Sequence, residues 1–363
     1  MPWELIVGIV ALVIGLTALV VALVVLRRSR AQHAAPAADS STRAVAGPQV
    51  AVIVNPSKEH TRQVAETVRR LAAEAALPEP RFYDTTVEDP GTGQARQALD
   101  DGADVVVAAG GDGTVRAVAD GLVGSGRPMG IIPAGTGNLL ARNLDLPLAD
   151  VEEAFAVVLG GVDRTIDVGR LKIVRTADDD GDGAEEGSAH LFLVIAGLGF
   201  DAAMVADADD ALKARVGWVA YFLAGVRHLH GRRLRATIGV DDRPVVEARL
   251  RTVMVGNCGR LPGGITLLPD AVIDDGELDV AAIDTRGGLA GWAQLLGEVV
   301  AQGMGMQNDL KVKIGRIDHV RAKRATIVVE GGEQAQVDGE VLGKALELET
   351  WVEPGALVVR TPA

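Results

Sequence analysis

The chain has 363 residues, enough for about two domains with a sizeable core. With 48% hydrophobic but only 3% aromatic residues, that core has to be built from Val, Leu, Ile and Ala. A net charge of -13 argues against a nucleic-acid partner, and the lone cysteine, Cys258, excludes an intramolecular disulfide framework and a multi-cysteine zinc site.

Residues 1–28 read as a transmembrane anchor. Leu5 to Leu26 carries no charge, and a run of roughly 20 apolar residues crosses a bilayer as a helix. Arg27, Arg28 and Arg30 follow it, whereas Glu4 is the charge before it, so the positive side and everything after it are expected in the cytoplasm. Trp3 fits an interfacial anchor. A cleavable signal peptide is the rival, but its basic leading region is missing here. Residues 29–49 are a flexible linker of Ala, Pro, Ser and Gln without apolar periodicity.

From residue 50 onward, strand and helix signals alternate. Val50–Val54 predicts a strand, and Thr61 opens a helix in which Val64, Val68, Leu71 and Ala75 share a face. Arg81 to Thr86 predicts a second strand and its loop, and Gln94 to Leu99 a second helix. The alternation holds to about Leu159 and predicts a parallel α/β domain over residues 50–164.

Two glycine turns stand out in this domain. Gly110-Gly111-Asp112-Gly113-Thr114 follows the apolar run Val105 to Ala109 and precedes an amphipathic stretch. Gly135-Thr136-Gly137-Asn138 follows Met129 to Ile132 and precedes a helical start at Leu139. A strand-to-helix turn of this kind aims backbone N–H groups and the positive end of a helix dipole at one spot, which suits phosphate. Two such loops at the carboxyl ends of adjacent strands fit the ligand crevice of an open α/β sheet. Asp112 beside phosphate implies either a metal between them or a carboxylate that handles a proton.

Residues 165–363 read differently. Ile166 to Leu171, Arg235 to Val240, Val245 to Met254, Leu278 to Ile283, Ala325 to Glu330 and Leu346 to Trp351 predict short strands of a mainly antiparallel β domain. Helices are expected over 209–230 and 289–303. The C-terminal segment is allowed to pack back on the first domain. The acidic run from Asp178 to Glu186 lacks the last glutamate of a calcium loop and reads as a solvated hairpin tip. Gly197-Leu198-Gly199 matches a loose dinucleotide fingerprint but lies outside the alternating region. Asp338-Gly339-Glu340 offers a pair of carboxylates that a glycine turn can bring into one cleft, against the plainer reading of an exposed acidic hairpin.

Taken together, the chain resembles the diacylglycerol kinase, sphingosine kinase and related bacterial lipid kinase family. The resemblance covers roughly Val50 to the C-terminus. It rests on Asn55-Pro56, the 110–114 and 135–138 loops, Gly197-Leu198-Gly199-Phe200-Asp201, Pro269-Asp270-Ala271, Asp275-Gly276-Glu277-Leu278-Asp279 and Val337-Asp338-Gly339-Glu340. It departs from the family after Asn55-Pro56, where Lys58-Glu59-His60 follows Ser57, and before Gly197, where Val194-Ile195-Ala196 stands.

The resemblance implies a two-domain kinase: an N-terminal parallel α/β nucleotide domain and a β-sandwich-like second domain, here preceded by one transmembrane helix. It implies ATP and Mg²⁺ as cofactors, with the nucleotide held by Asn55, Pro56, Ser57, Lys58, one of Thr85 or Thr86 (Thr86 is preferred), Gly110, Gly111, Asp112, Gly113, Thr114, Gly135, Thr136, Gly137 and Asn138. By the same resemblance Glu340 is the general base, and a structural magnesium is held by Asp275 with backbone carbonyls near Val272 and Glu277. Asp112 in its glycine turn and Asp338 beside Glu340 are read from their own placement as further catalytic acids. The expected partners are a membrane lipid substrate and the bilayer; a homodimer is allowed. The expected location is the cell membrane, single-pass, with the catalytic part on the cytoplasmic side.

The leading expectation is therefore a membrane-anchored, ATP-dependent lipid kinase acting on diacylglycerol or a similar lipid. An NAD kinase-like enzyme shares Gly110 to Thr114 but has no use for a membrane span. A non-catalytic, membrane-tethered lipid- or nucleotide-binding module is the third possibility, and the presence of Asp112, Asp338 and Glu340 together argues against it.

Overall fold

The structure is a computed structural model and describes residues 47–57, 61–177, 186–199, 233–261, 265–285 and 315–363. The expected span at Leu5–Leu26, the linker up to residue 46, Lys58, residues 178–185 of the acidic run and the expected helices at 209–230 and 289–303 lie outside the described residues. Among the described residues no helix is long and apolar enough to cross a membrane.

Strands β1 (Val50–Val54), β2 (Arg81–Asp84), β3 (Val105–Gly110) and β4 (Pro128–Pro133) pair in parallel in the spatial order β2-β1-β3-β4. Helices α1 (Thr61–Glu74), α2 (Thr92–Asp100), α3 (Asp112–Leu122), α4 (Leu139–Asn143) and α5 (Val151–Gly160) connect or follow them. The alternation of a strand decides which helix goes where. Val50, Val52 and Val54 pack with Val64 and Val68 of α1 and with Phe155 and Val158 of α5. Ala51 and Ile53 belong to the opposite core, with Ala95 and Ala98 of α2 and Val118 and Leu122 of α3. Helices thus cover both faces. The chain leaves β1 toward β2 and returns to β3 on its other side, so the strand order reverses between β1 and β3. In such sheets the crevice opens at the carboxyl ends of those strands.

The second lobe is antiparallel. It contains β5 (Val162–Thr176), β6 (Ala189–Phe192), β7 (Ile195–Leu198), β8 (Leu234–Val240), β9 (Val246–Leu250), β10 (Thr252–Gly256), a short hairpin of β11 (Arg260–Leu261) and β12 (Ile265–Thr266), β13 (Leu278–Thr285), β14 (Gly315–Ala322), β15 (Arg324–Val337) and β16 (Glu340–Thr361). Its core gathers Phe192, Leu198, Val253, Val280, Ile327 and Leu348. Strand β16 pairs with β15 and β5, and its end runs parallel to β4 through Val358 and Val359. One sheet therefore passes through both lobes, and the expected boundary at 164/165 falls inside β5.

Several strands are longer than their patterns predict. Ala325–Glu330 is only part of β15, because the strand continues through Gly331 and Gly332, which adopt φ of 81° and 72° within a bulge between Val328 and Glu333. Strand β16 bends at Pro354-Gly355, where the pairing with β5 slips between Glu353 and Leu357 and Gly355 has φ 57°. Gly197 is part of an antiparallel strand between β10 and β15, and a Cβ there would lie 2.2 Å from the Val253 carbonyl oxygen. Close strand packing accounts for that glycine, and the dinucleotide fingerprint falls.

Candidate active site

The parallel strands deliver their loops to one edge. Asn55 follows β1, Thr85 and Thr86 follow β2, Gly110 ends β3, and Ala134 follows β4. The Asn55 side chain accepts the Ser57 N–H at 3.0 Å, and its carbonyl accepts the Thr61 hydroxyl, so this turn is tied to the start of α1. Thr85 is buried and donates its N–H to the Val54 carbonyl at 2.9 Å. Thr86 is exposed and accepts the Asp89 N–H at 3.0 Å.

The two glycine turns touch. Ala134 N–H donates to the Gly110 carbonyl at 2.9 Å, and a Cβ on Gly135 would stand 2.6 Å from the Gly111 Cα. No side chain fits between backbones at that separation. Asn138 has φ 48°, and its amide closes the second turn by accepting the Gly135 N–H at 3.0 Å and donating to the Gly135 carbonyl at 2.8 Å. Thr136 and Gly113 are exposed at the mouth of the turns. Gly111 caps α3 without a side-chain bond to its first N–H groups. Those donors give the helix N-terminus its affinity for an anion.

Asp112 is the first residue of α3, and its carboxylate serves the other helix. It accepts the Asn138 N–H at 2.9 Å and the Leu139 N–H at 2.6 Å, where α4 begins. Burial pushes its carboxyl up to about 6; the charge of Asp338 adds to the rise and the N–H bonds oppose it. The structure thus brings Asp112 and Asp338 from different lobes into one electrostatic neighbourhood.

Asp338 and Gly339 form the two-residue turn between β15 and β16, with φ of 47° and 88° and Val337 opposite Glu340. Positive φ at both central residues is the reason for an Asp-Gly pair here. The turn separates the two carboxylates that the sequence suggested would share a cleft. Asp338 is half-buried and accepts three backbone N–H groups, from Leu193 at 2.7 Å and from Val194 and Ile195 at 2.9 Å. Burial pushes its carboxyl up, opposed by those N–H bonds and by the charge of Arg116. Glu340 turns the other way and pairs with Arg116 of α3. Asp338 is therefore the anchor of the turn, and Glu340 is its accessible acid.

The loop expected to hold a structural magnesium is differently engaged. One Asp275 oxygen accepts the Glu277 N–H at 3.0 Å, and the other pairs with Arg321. Arg321 also reaches the Glu277 carboxylate at 3.3 Å. Val272 is exposed beside them. The guanidinium thus engages Asp275, the one carboxylate of the expected site, together with the side chain of Glu277, which was expected to offer its backbone carbonyl. As arranged, Arg321 takes the Asp275 oxygen that a metal ion would need.

Sequence reading missed three residues of this region. Arg116 lies one helical turn past Asp112, and that spacing was the signal available. Asp167 sits between apolar neighbours in β5, almost fully buried, and its carboxylate accepts the Gly276 N–H at 2.6 Å and the Gly355 N–H at 2.7 Å. Asn257 is enclosed and donates to the Asp167 carbonyl at 2.8 Å and the Leu193 carbonyl at 3.1 Å. Cys258 is buried, and burial pushes its thiol up, so it is an inert core residue. Beside the second glycine turn a cavity of about 350 Å³ is lined by Arg142, Leu146, Leu148, Arg260 and Leu261 among others. Arg142 is tied to the turn by a 2.7 Å bond from Nε to the Gly137 carbonyl.

A doubly wound α/β lobe with paired glycine turns, joined to an antiparallel lobe that contributes an acidic hairpin, defines a two-lobed protein built to meet an anionic ligand at its crevice. Comparison with known proteins makes the class specific. Residues 49–171 match the diacylglycerol kinase catalytic domain, and residues 194–361 match the YegS C-terminal NAD kinase beta sandwich-like domain. A protein of Pseudomonas aeruginosa described as "Probable lipid kinase YegS-like" is 33% identical over 74% of this chain and 80% of its own length. A protein of Bacillus subtilis described as "Diacylglycerol kinase" is 27% identical over 80% of this chain and 89% of its own. A crystal structure of a diacylglycerol kinase from Bacillus anthracis shares the fold with a TM-score of 0.65 at 24% identity, covering 86% of this chain and 97% of that one. The chain belongs to the diacylglycerol kinase and YegS-like lipid kinase family, and its class of activity is that of a lipid kinase.

Proposed function

We propose that the chain is an ATP-dependent kinase that transfers the γ-phosphate to the hydroxyl of diacylglycerol or a similar lipid. The observation that carries this reading is the meeting of the two glycine turns after β3 and β4, at one side of the β1/β3 crevice, with Glu340 of the other lobe tied to the helix that starts there. Phosphoryl transfer needs charge neutralisation, in-line placement and a proton acceptor. Uncapped N–H groups at Gly111 to Thr114 supply part of the first. Asn55, Thr86, Thr136 and Asn138 border the nucleotide. ATP would carry magnesium, and Asp112, which has lone pairs beyond its two N–H bonds, is the acid beside the turns that would face it. Glu340 is the accessible carboxylate for the hydroxyl proton.

Two supports bear on the substrate. The Bacillus subtilis relative is described as a diacylglycerol kinase. The cavity beside the second turn sets three leucines beside Arg142 and an Arg260–Asp145 ion pair, a part-apolar, part-polar lining of the kind a lipid with a polar head would use. A tether through Leu5–Leu26 would hold the acidic enzyme at the cytoplasmic face of the membrane, where electrostatic attraction to anionic lipids is lacking. The test is phosphate transfer from labelled ATP to diacylglycerol, monoacylglycerol and a sphingoid base, with NAD as a soluble acceptor. Labelled phosphatidic acid is the expected product; label in NAD instead, or in neither, rejects the reading. Removing residues 1–48 should spare activity in detergent micelles and lower it on vesicles. Equal loss in both would show that this segment is not a tether.

A further inference from the structure

Arg116 has an unusual set of partners for a cation in this position. Its side chain is 13% exposed, and its Nε is buried without an acceptor. Its ion-pair partner, Glu340, is 58% exposed and comes from the other lobe. A guanidinium this enclosed needs compensation, and an unpaired buried donor is unfavourable. Arg116 also lies near Asp338, whose carboxyl its charge stabilises in the ionised form.

Its placement points to a ligand. Arg116 is four residues after Asp112 on α3, so the two share a helix face. The N-terminus of that helix is capped by Gly111 without a side-chain bond. Guanidinium forks match phosphate oxygens, often in bidentate fashion. Conversely, a carboxylate engaged by a guanidinium is a poor acceptor for a hydroxyl proton. The pair as it stands occupies both the cation that a triphosphate needs and the base that the lipid needs.

We propose that Arg116 is a phosphate ligand held in reserve by Glu340, and that the triphosphate of ATP draws it away and frees Glu340 to act. This rests on the ATP-dependent lipid kinase reading above. In the transfer step the lipid oxygen bonds to the γ-phosphorus, the bond from that phosphorus to the oxygen of departing ADP breaks, and the hydroxyl proton passes to Glu340. Nucleotide and carboxylate compete for one cation, so the base becomes available when the triphosphate is in place.

Competition makes a prediction that a simple strut between lobes does not. The full chain in detergent is titrated calorimetrically with magnesium-ATP and with AMP, as wild type, Arg116→Gln, Arg116→Lys and Glu340→Gln. Removing the competing carboxylate in Glu340→Gln should tighten ATP binding roughly twofold to fivefold, the scale of a partly exposed ion pair. Arg116→Gln should weaken ATP binding at least tenfold and leave AMP, which lacks the outer phosphates, within about twofold; Arg116→Lys should recover part of the loss. Unchanged or weaker ATP binding in Glu340→Gln overturns the exchange, as does equal weakening of ATP and AMP in Arg116→Gln. If Arg116→Gln does not fold, the Glu340→Gln titration decides alone. A wild type that binds no ATP and labels no lipid overturns the parent reading as well, whereas a wild type that does both isolates the failure to Arg116.

Discussion

Asp112, the first residue of helix α3, accepts the N–H of Leu139 at 2.6 Å, so the acid at the start of one helix caps the start of the next. The two glycine turns are held in register by this carboxylate. The same group is the acid that would face the nucleotide, so structural and chemical roles fall on one side chain.

Asp112→Asn should separate those roles. Asn keeps one acceptor for the Asn138 and Leu139 N–H groups and removes a buried charge, so the two effects oppose each other. Stability at pH 7 should change by no more than about 1 kcal/mol. Lipid phosphorylation should fall at least ~10²-fold, the scale of a lost charged group in a transfer site. Urea unfolding and turnover on diacylglycerol measure both; activity within a few fold of wild type would remove Asp112 from the chemistry.

The raised carboxyl of Asp112 sets a pH dependence. Its folded pKa, about 6, lies above the unfolded value, so the native state favours the protonated form. The stabilisation is complete below about pH 4 and is lost as pH rises through about 6, roughly 3 kcal/mol in all. Asp338 is shifted in the same direction by burial. The stability advantage of wild type over Asp112→Asn should therefore shrink between pH 4 and 6 and be flat above about 6.5. An advantage that grows with pH over that window would reverse the assignment.

Glycines in the two turns should respond differently to a methyl group. A Cβ on Gly135 meets the Gly111 Cα at 2.6 Å, backbone against backbone, whereas a Cβ on Gly113 meets nothing within 4 Å. Gly135→Ala should lower the melting temperature and ATP affinity together. Gly113→Ala sits in α3 and should leave stability unchanged or raise it by up to ~1 kcal/mol, while weakening ATP binding because the methyl group faces the phosphates. Equal behaviour of the two variants would mean that the loops do not touch as described.

Asp167 joins two turns of the second lobe, at Gly276 and Gly355. Asp167→Ala strands both N–H groups next to a buried site and should destabilise by about 3 kcal/mol. Amide exchange should quicken at Gly276 and Gly355 before it does in β1 or β3. Protection unchanged at both glycines would show that another acceptor takes over.

Much of the first lobe was legible in the chain. The apolar runs at Val50 and Val105, the glycine turns after β3 and β4, and the alternation of strand and helix are local signals, and local sterics and hydrophobic spacing fix them. The Asp338-Gly339 turn was legible for the same reason, since positive φ restricts which residues fit. The expected membrane span lies outside the described residues, and the case for it is the apolar run and flanking arginines of residues 5–30.

Tertiary structure decided what each charged residue faces. Asp338 and Glu340 are two positions apart, yet one is held by backbone N–H groups of 193–195 and the other reaches Arg116, 224 positions away in sequence. Arg321, from a distant strand, pairs with both Asp275 and Glu277. The lengths of β15 and β16 depended on partners as well: the strand expected over Ala325–Glu330 runs on through a bulge at Gly331-Gly332, where neighbouring strands hold it. The physical reason is common to all of these. Backbone preferences act over a few residues, whereas charge pairing and strand extension are settled by which surfaces the fold brings together, and the fold here joins its lobes through one sheet from β2 to β14.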